Sequence, residues 1–186
     1  SLKAFMLMGQ KSLAKKILLR QLSTLQKDGR IPNIFPNSKL SSADGIGWMI
    51  KRFSELTISK KSSEFKKIKR AINILLKQHT KNGLTINSQQ ETWMDTKHTP
   101  RSGFRIEIQA LRLSVCNFLF KLTNENKYQK LESELKARVK KKFWNHPILA
   151  DGFNHHSDFT IRPNIFLAYY LYPKLLEQEE WKLCFN

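Results

Sequence analysis

The feature that most constrains the fold is a recurring order of helix types. A helix with one basic face is followed by a glycine stop, a long polar loop and then a strongly apolar helix. The order returns about every 60 residues, with Asp44, Glu107 and Pro163 at the openings of the apolar helices. Apolar residues spaced i, i+3, i+4 and i+7 mark helices, and a fixed period of such units marks a repeated helical architecture. No strand alternation competes with this pattern, so the expected fold class is all-α. A helix that is apolar nearly all round is enclosed by others. The one-sided helices are therefore expected outside and the enclosed ones inside, with the three long loops emerging at one end. A site is expected among those loops, because loops on a rigid scaffold carry function.

In chain order, Leu13, Ile17, Leu18, Leu22 and Leu25 predict a first helix over 11–27, stopped by Asp28-Gly29. Residues 30–37 contain two prolines and are expected to be extended. Ser42, Ala43 and Asp44 are N-cap candidates for a second helix over 45–56, which carries Trp48, Met49 and Phe53. A third helix, 62–79, sets Phe65, Ile68, Ala71 and Ile72 against a lysine-rich face and ends before Asn82-Gly83. The fourth, 104–122, is apolar nearly all round, and the fifth, 128–143, is one-sided. Residues 144–161 read as a third polar loop, Pro163 opens a sixth helix over 164–172, and a seventh covers 175–183.

At 186 residues the chain fits a single domain over 1–186. It begins with Ser1 and stops at Phe185-Asn186 within an amphipathic pattern, so it reads as a piece of a longer protein. A net charge of +18 ordinarily suggests nucleic acid or an anionic surface. The lysines, however, are spread over nearly every helix, and the densest runs, 66–70 and 140–142, fit solvated faces. With no RNA-binding signature, no zinc-type Cys/His spacing and no basic region leading into heptads, nucleic acid is not an expected partner, nor is a metal or cofactor expected. Cys116 and Cys184 read as buried thiols in a reducing compartment, with a disulfide between them left open. No apolar run reaches the roughly 18 residues of a membrane span and no signal peptide is visible, so a cytoplasmic location is expected.

The densest chemistry lies in Glu91–Ala110, which places a Trp, three carboxylates and two Arg around a Pro and a Gly. Asp95 falls on the loop and Glu107 in the first turns of the helix that follows. A loop carboxylate leading to one on a helix start suits acid–base chemistry; it also suits a capped helix after a long polar loop.

The same stretch carries a family resemblance. Thr92-Trp93-Met94-Asp95-Thr96, followed by Thr99-Pro100-Arg101-Ser102-Gly103-Phe104-Arg105-Ile106-Glu107-Ile108-Gln109-Ala110-Leu111, resembles the signature of the amylo-alpha-1,6-glucosidase domain of glycogen debranching enzymes. Asp28-Gly29-Arg30-Ile31-Pro32-Asn33, Ser42-Ala43-Asp44-Gly45-Ile46-Gly47-Trp48, Asn82-Gly83-Leu84 and Ile161-Arg162-Pro163-Asn164 are similar to its flanking motifs, in the same order. The resemblance implies an α/α toroid of six helical hairpins, an (α/α)6 barrel, of which this chain covers about half. It implies a glycoside hydrolase acting on α-1,6-linked glucose at glycogen branch points, with inversion. Another toroid α-glucosidase, glucoamylase-like or trehalase-like, is the alternative enzyme, and a non-catalytic carbohydrate-binding or scaffold protein the alternative class. The partner implied is a glucan or oligosaccharide.

Roles follow residue by residue. An inverting glycosidase needs a carboxylic acid for the leaving oxygen and, roughly 6.5–9.5 Å away, a carboxylate to activate water. By the resemblance Asp95 is the general acid, and the second carboxylate is expected after Asn186. Without the family, Asp95 reads as a helix-capping or loop-bridging aspartate. Glu107 is either a sugar ligand or one half of a pair with Arg101 or Arg105, since an unpaired charge on an enclosed helix is expensive. Arg101 and Arg162 hold carboxylates or glucose hydroxyls through forked hydrogen bonds, or pin their loops. Asp44 is a subsite ligand or an N-cap. Trp48 and Trp93 offer flat faces to a pyranose ring, with core packing the other reading of Trp48. Arg112 stands where the family often has an aromatic that could face the pocket.

Overall fold

A computed structural model describes residues 2–34, 39–56 and 58–186. The expected extension of the first loop over 35–37 lies outside them. The chain divides into two compact units, Ser1–Gln78 and His79–Asn186, and each is described by itself.

The first unit holds α1 (Leu2–Leu7), α2 (Lys11–Leu22), α3 (Gly45–Phe53) and α4 (Ser63–Gln78). Its core joins Ala14, Leu18 and Leu22 of α2 with Ile46, Met49, Ile50 and Phe53 of α3 and Phe65, Ile68, Ala71 and Ile72 of α4. α1 was not foreseen, because six residues are too few to display a helical period. α2 ends five residues before the expected 27. The hydroxyls of Ser23 and Thr24 donate to the carbonyls of Arg20 and Gln21, each at 2.7 Å. Such local bonds compete with continuation of the helix. Gly29, at φ +84°, therefore serves the turn beyond the helix rather than its end. β1 (Ile31–Pro32) then pairs antiparallel with β2 (Ser41–Ser42). At the start of α3 the side-chain bond comes from Ser42 rather than from Asp44. The Gly45 N–H donates to Ser42 Oγ at 2.8 Å, while Asp44 stands at the cap position without a side-chain capping bond.

In the second unit, β3 (Thr80–Lys81) and β4 (Leu84–Thr85) form a hairpin. Its two turn residues, Asn82 and Gly83, have φ of 53° and 76°, the left-handed pair that a tight two-residue hairpin turn requires. β5 (Phe104–Arg105) leads straight into α5 (Ile106–Thr123), and Asn124, at φ 58°, links α5 to α6 (Asn126–Phe143). β6 (Trp144–Asn145) and β7 (Ile148–Leu149) make a second hairpin. β8 (Gly152–Phe153) lies between β5 and β9 (Ser157–Asp158) in a three-stranded antiparallel sheet. α7 (Asn164–Leu171), a 3-10 turn over Pro173–Leu175 and α8 (Gln178–Phe185) close the unit.

α5 is the enclosed helix the sequence called for. Residues 106–111, with Leu113, Val115, Cys116 and Leu119, are buried as it packs against α6 and α7. α7 departs from that expectation: it buries Asn164, Ala168 and Leu171 but leaves Phe166, Tyr169 and Tyr170 exposed. The short strands were not expected either. At two residues each they offer no alternation to read, and the fold class remains all-α.

Gly29→Ala is expected to destabilise the protein more than Gly9→Ala, both measured by urea unfolding. Both glycines have positive φ, which costs a side-chain-bearing residue about 1–2 kcal/mol. At Gly9 an added Cβ meets open space, whereas at Gly29 it would lie 2.6 Å from the Ala71 carbonyl oxygen. Equal losses would show that this close approach does not matter.

Candidate active site

The signature residues of the second unit converge because β5 pairs with β8. The register sets Arg105 opposite Gly152 and, one strand further, Gly152 opposite Asp158. The Arg105 side chain crosses directly over Gly152, where a Cβ would collide with the guanidinium. Asp151 is thereby placed at the centre. The Ile106 N–H donates to its carbonyl at 3.0 Å, and its own N–H donates to the Asp158 carbonyl at 2.8 Å.

Around Asp151 stand three arginines. Arg101 Nη2 donates to its two oxygens at 3.2 and 3.0 Å, Arg162 Nη1 to Oδ2 at 2.8 Å, and Arg105 Nη1 to Oδ2 at 3.4 Å. The Asn164 amide donates to Oδ1 at 2.6 Å. Arg101 also forks onto Glu107, Nη1 to Oε1 at 2.7 Å and Nη2 to Oε2 at 3.2 Å, and reaches Thr92 Oγ1 at 3.2 Å. Arg105 and Arg162 share Asp158 Oδ2 at 2.9 and 3.0 Å. Three cations and three carboxylates are thus interlocked. Arg101, Glu107 and Asp151 are all within 2% of complete burial.

Burial works to lower the Arg101 pKa, but the hydrogen bonds and charges of Glu107 and Asp151 outweigh it and raise the value, keeping the guanidinium cationic. Burial, with the nearby Asp151 charge, raises the Glu107 carboxyl despite the Arg101 bonds that lower it. Asp158 is less buried, and bonds from Thr160, Arg105 and Arg162 outweigh burial and hold it well below the ordinary carboxylate range.

Asp95 stands apart from the cluster. Its Oδ1 accepts the Arg101 backbone N–H at 2.8 Å. Its Oδ2 is buried with no hydrogen-bond partner, and among the described residues Asp95 makes no ion pair. Two residues before it, Trp93 is 53% exposed, with its indole N–H held by Asn164 Oδ1 at 3.0 Å.

The structure therefore brings Trp93, Arg101, Glu107 and Arg162 together, with Asp95 joined to them through the Arg101 backbone N–H. For Glu107 it finds the pair with Arg101, and for Arg101 and Arg162 the carboxylates. Asp44 and Trp48 belong to the first unit. Asp44 is buried, which raises its pKa, and accepts the Ser42 hydroxyl, while Trp48 is half-buried on α3. Arg112 bridges the β3–β4 hairpin, reaching Thr85 Oγ1 at 3.2 Å and Thr80 Oγ1 at 3.3 Å. Asp151 and Asp158 escaped the sequence reading. The available signal was Asp151-Gly152, the same Asp/Asn-Gly pair seen at 28–29 and 82–83.

The family model described as amylo-alpha-1,6-glucosidase matches residues 1–185. This chain belongs to the amylo-alpha-1,6-glucosidase family. A comparison with curated proteins finds no match. Membership places the chain in a glycosidase lineage with a toroid-like fold and makes carbohydrate the class of substrate. Among the described residues no three His, Cys, Asp or Glu side chains are arranged to hold a metal ion. No helix among them is long and apolar enough to cross a membrane.

Two outcomes are expected of the ionic cluster. Arg101→Lys cannot reproduce the fork and leaves buried carboxylates short of partners, so unfolding should show a loss of about 3–5 kcal/mol. For Asp158 the folded pKa is depressed, so its pairing stabilises the fold in full above its ordinary value of 3.8 and less as the pH falls below it. Asp158→Asn should accordingly be less stable than the parent near neutral pH, with the gap narrowing below about pH 4 in acid-unfolding curves.

Proposed function

We propose that this chain carries the proton-donor side of an inverting α-glucosidase site, with Asp95 as the general acid, acting on α-1,6-linked glucose at glycogen branch points. The observation that supports this most is the contrast among the carboxylates. Glu107, Asp151 and Asp158 are committed to arginines. Asp95 lies on a loop, touches a cation only through a backbone N–H, and keeps one oxygen without a protein partner. A proton donor needs an oxygen that is not already committed to a facing charge.

On this reading the Asp95 carboxyl protonates the glycosidic oxygen as the bond from C1 to that oxygen breaks, and the bonding electrons leave with the oxygen. Water attacks C1 from the opposite face and gives its proton to a second carboxylate, releasing glucose with inverted configuration. Trp93 offers its half-exposed face to a pyranose ring. Arg162, at the edge of the cluster, has one nitrogen engaged by Asp151 and Asp158. Cys116 and Cys184 are free thiols, which fits a reducing, cytoplasmic setting.

In the full-length protein, Asp95→Asn is expected to abolish glucose release from a branched limit dextrin while leaving oligosaccharide binding measurable by calorimetry. Turnover at the parent rate would remove Asp95 from the mechanism.

A further inference from the structure

Two hydrogen-bonded paths leave Asp151 and close on the loop that carries Asp95. One runs through the Arg101 guanidinium, at 3.2 and 3.0 Å from Asp151, to the Arg101 backbone N–H and on to Asp95 Oδ1 at 2.8 Å. The other runs from Asp151 Oδ1 to the Asn164 amide nitrogen at 2.6 Å. That contact turns the Asn164 oxygen toward the Trp93 indole N–H at 3.0 Å.

These paths are the loop's anchorage. Within residues 92–95 the backbone bond from Asp95 N–H to the Thr92 carbonyl only closes a local turn. Among the described residues, the hydrogen bonds that tie these four to more distant parts of the chain end on Arg101 or Asn164: Thr92 Oγ1 and Asp95 Oδ1 on the first, Trp93 Nε1 on the second. Asp151 holds both. At 1% exposure it is closed off from any substrate, and its own main chain is fixed from Ile106 and to Asp158. A loop tied at one point can swing about it, whereas one tied at Thr92, at Trp93 and at the acid itself cannot. A misplacement of about 1 Å can cost a hundredfold in rate.

We infer that Asp151 is a positioning residue for the general acid, clamping the Asp95 loop through Arg101 and Asn164. This rests on the reading of Asp95 as the acid.

The test uses two substrates that differ in their need for a proton. The leaving sugar of an α-1,6-linked oligosaccharide needs one; the fluoride of α-glucosyl fluoride does not. In the full-length protein, Asp151→Asn should lower kcat on the oligosaccharide by about a hundredfold, with little change in KM and fluoride turnover near the parent's. Equal losses on both substrates would mark Asp151 as merely structural and overturn the proposal. Asn164→Ala cuts only the Trp93 arm and carries the test if Asp151→Asn does not fold. It should show the same selective loss, smaller in size, and no selectivity there overturns the clamp.

A second readout does not depend on turnover. The Trp93 indole N–H resonance, identified by its disappearance in Trp93→Phe, should shift in both variants. An unmoved resonance in Asp151→Asn, or in Asn164→Ala where that variant stands in, overturns the clamp. Failure of the underlying reading has its own signature: Asp95→Asn would then fail to discriminate between the two substrates, whatever Asp151 does.

Discussion

A guanidinium that is 2% exposed has given up its water, and only closely placed carboxylates offset that loss. Arg101 finds two. Glu107 comes from the first turn of α5, six residues on, and Asp151 from a loop fifty residues away. Buried ion pairs of this kind add little net stability, because desolvation cancels much of the attraction. What they do is exclude alternatives. Any arrangement that separated Arg101 from either carboxylate would leave a bare charge in an apolar interior. The pairing of β5 with β8, the entry into α5 and the seat of the Asp95 loop all bring partners to that one side chain.

The helices were legible because their determinants are local. α4, α5 and α6 show their period over 16 or more residues each, and the family signature put Asp95, Arg101 and Glu107 in one continuous stretch. The rest depends on partners far apart in the chain. Nothing in Ala150-Asp151-Gly152 says that three arginines will close on it, since two of them lie about fifty residues upstream. The overshoot at the end of α2 has the opposite cause. Leu25 continued the apolar spacing, but the hydroxyls of Ser23 and Thr24 had already taken the carbonyls of the preceding turn.

The polar residues on the enclosed helix follow the same logic as the cluster. Gln109 is fully buried, accepts the Thr85 N–H at 2.9 Å and donates to the Thr85 carbonyl at 2.7 Å, completing the edge of the β3–β4 hairpin as another strand would. Arg112, one turn further, reaches two threonines of the same hairpin. Burial lowers its pKa. Its neighbour Cys116 has its thiol pushed up to about 11, chiefly by burial, and so stays neutral. The departure from the family's aromatic at position 112 therefore has a local explanation in hairpin anchoring.

The direction in which Arg101 points also bears on chemistry. The signature sets an arginine six residues after the proposed acid, close enough for a salt bridge. Had the fork been aimed at Asp95, it would have set a full positive charge against the proposed proton donor. Instead the fork is occupied by Glu107 and Asp151, and only the Arg101 main chain meets Asp95. A backbone N–H fixes one carboxyl oxygen in place without bringing a full charge to it. Positioning and charge, which a single arginine side chain would have delivered together, are separated by the second carboxylate that draws the guanidinium away.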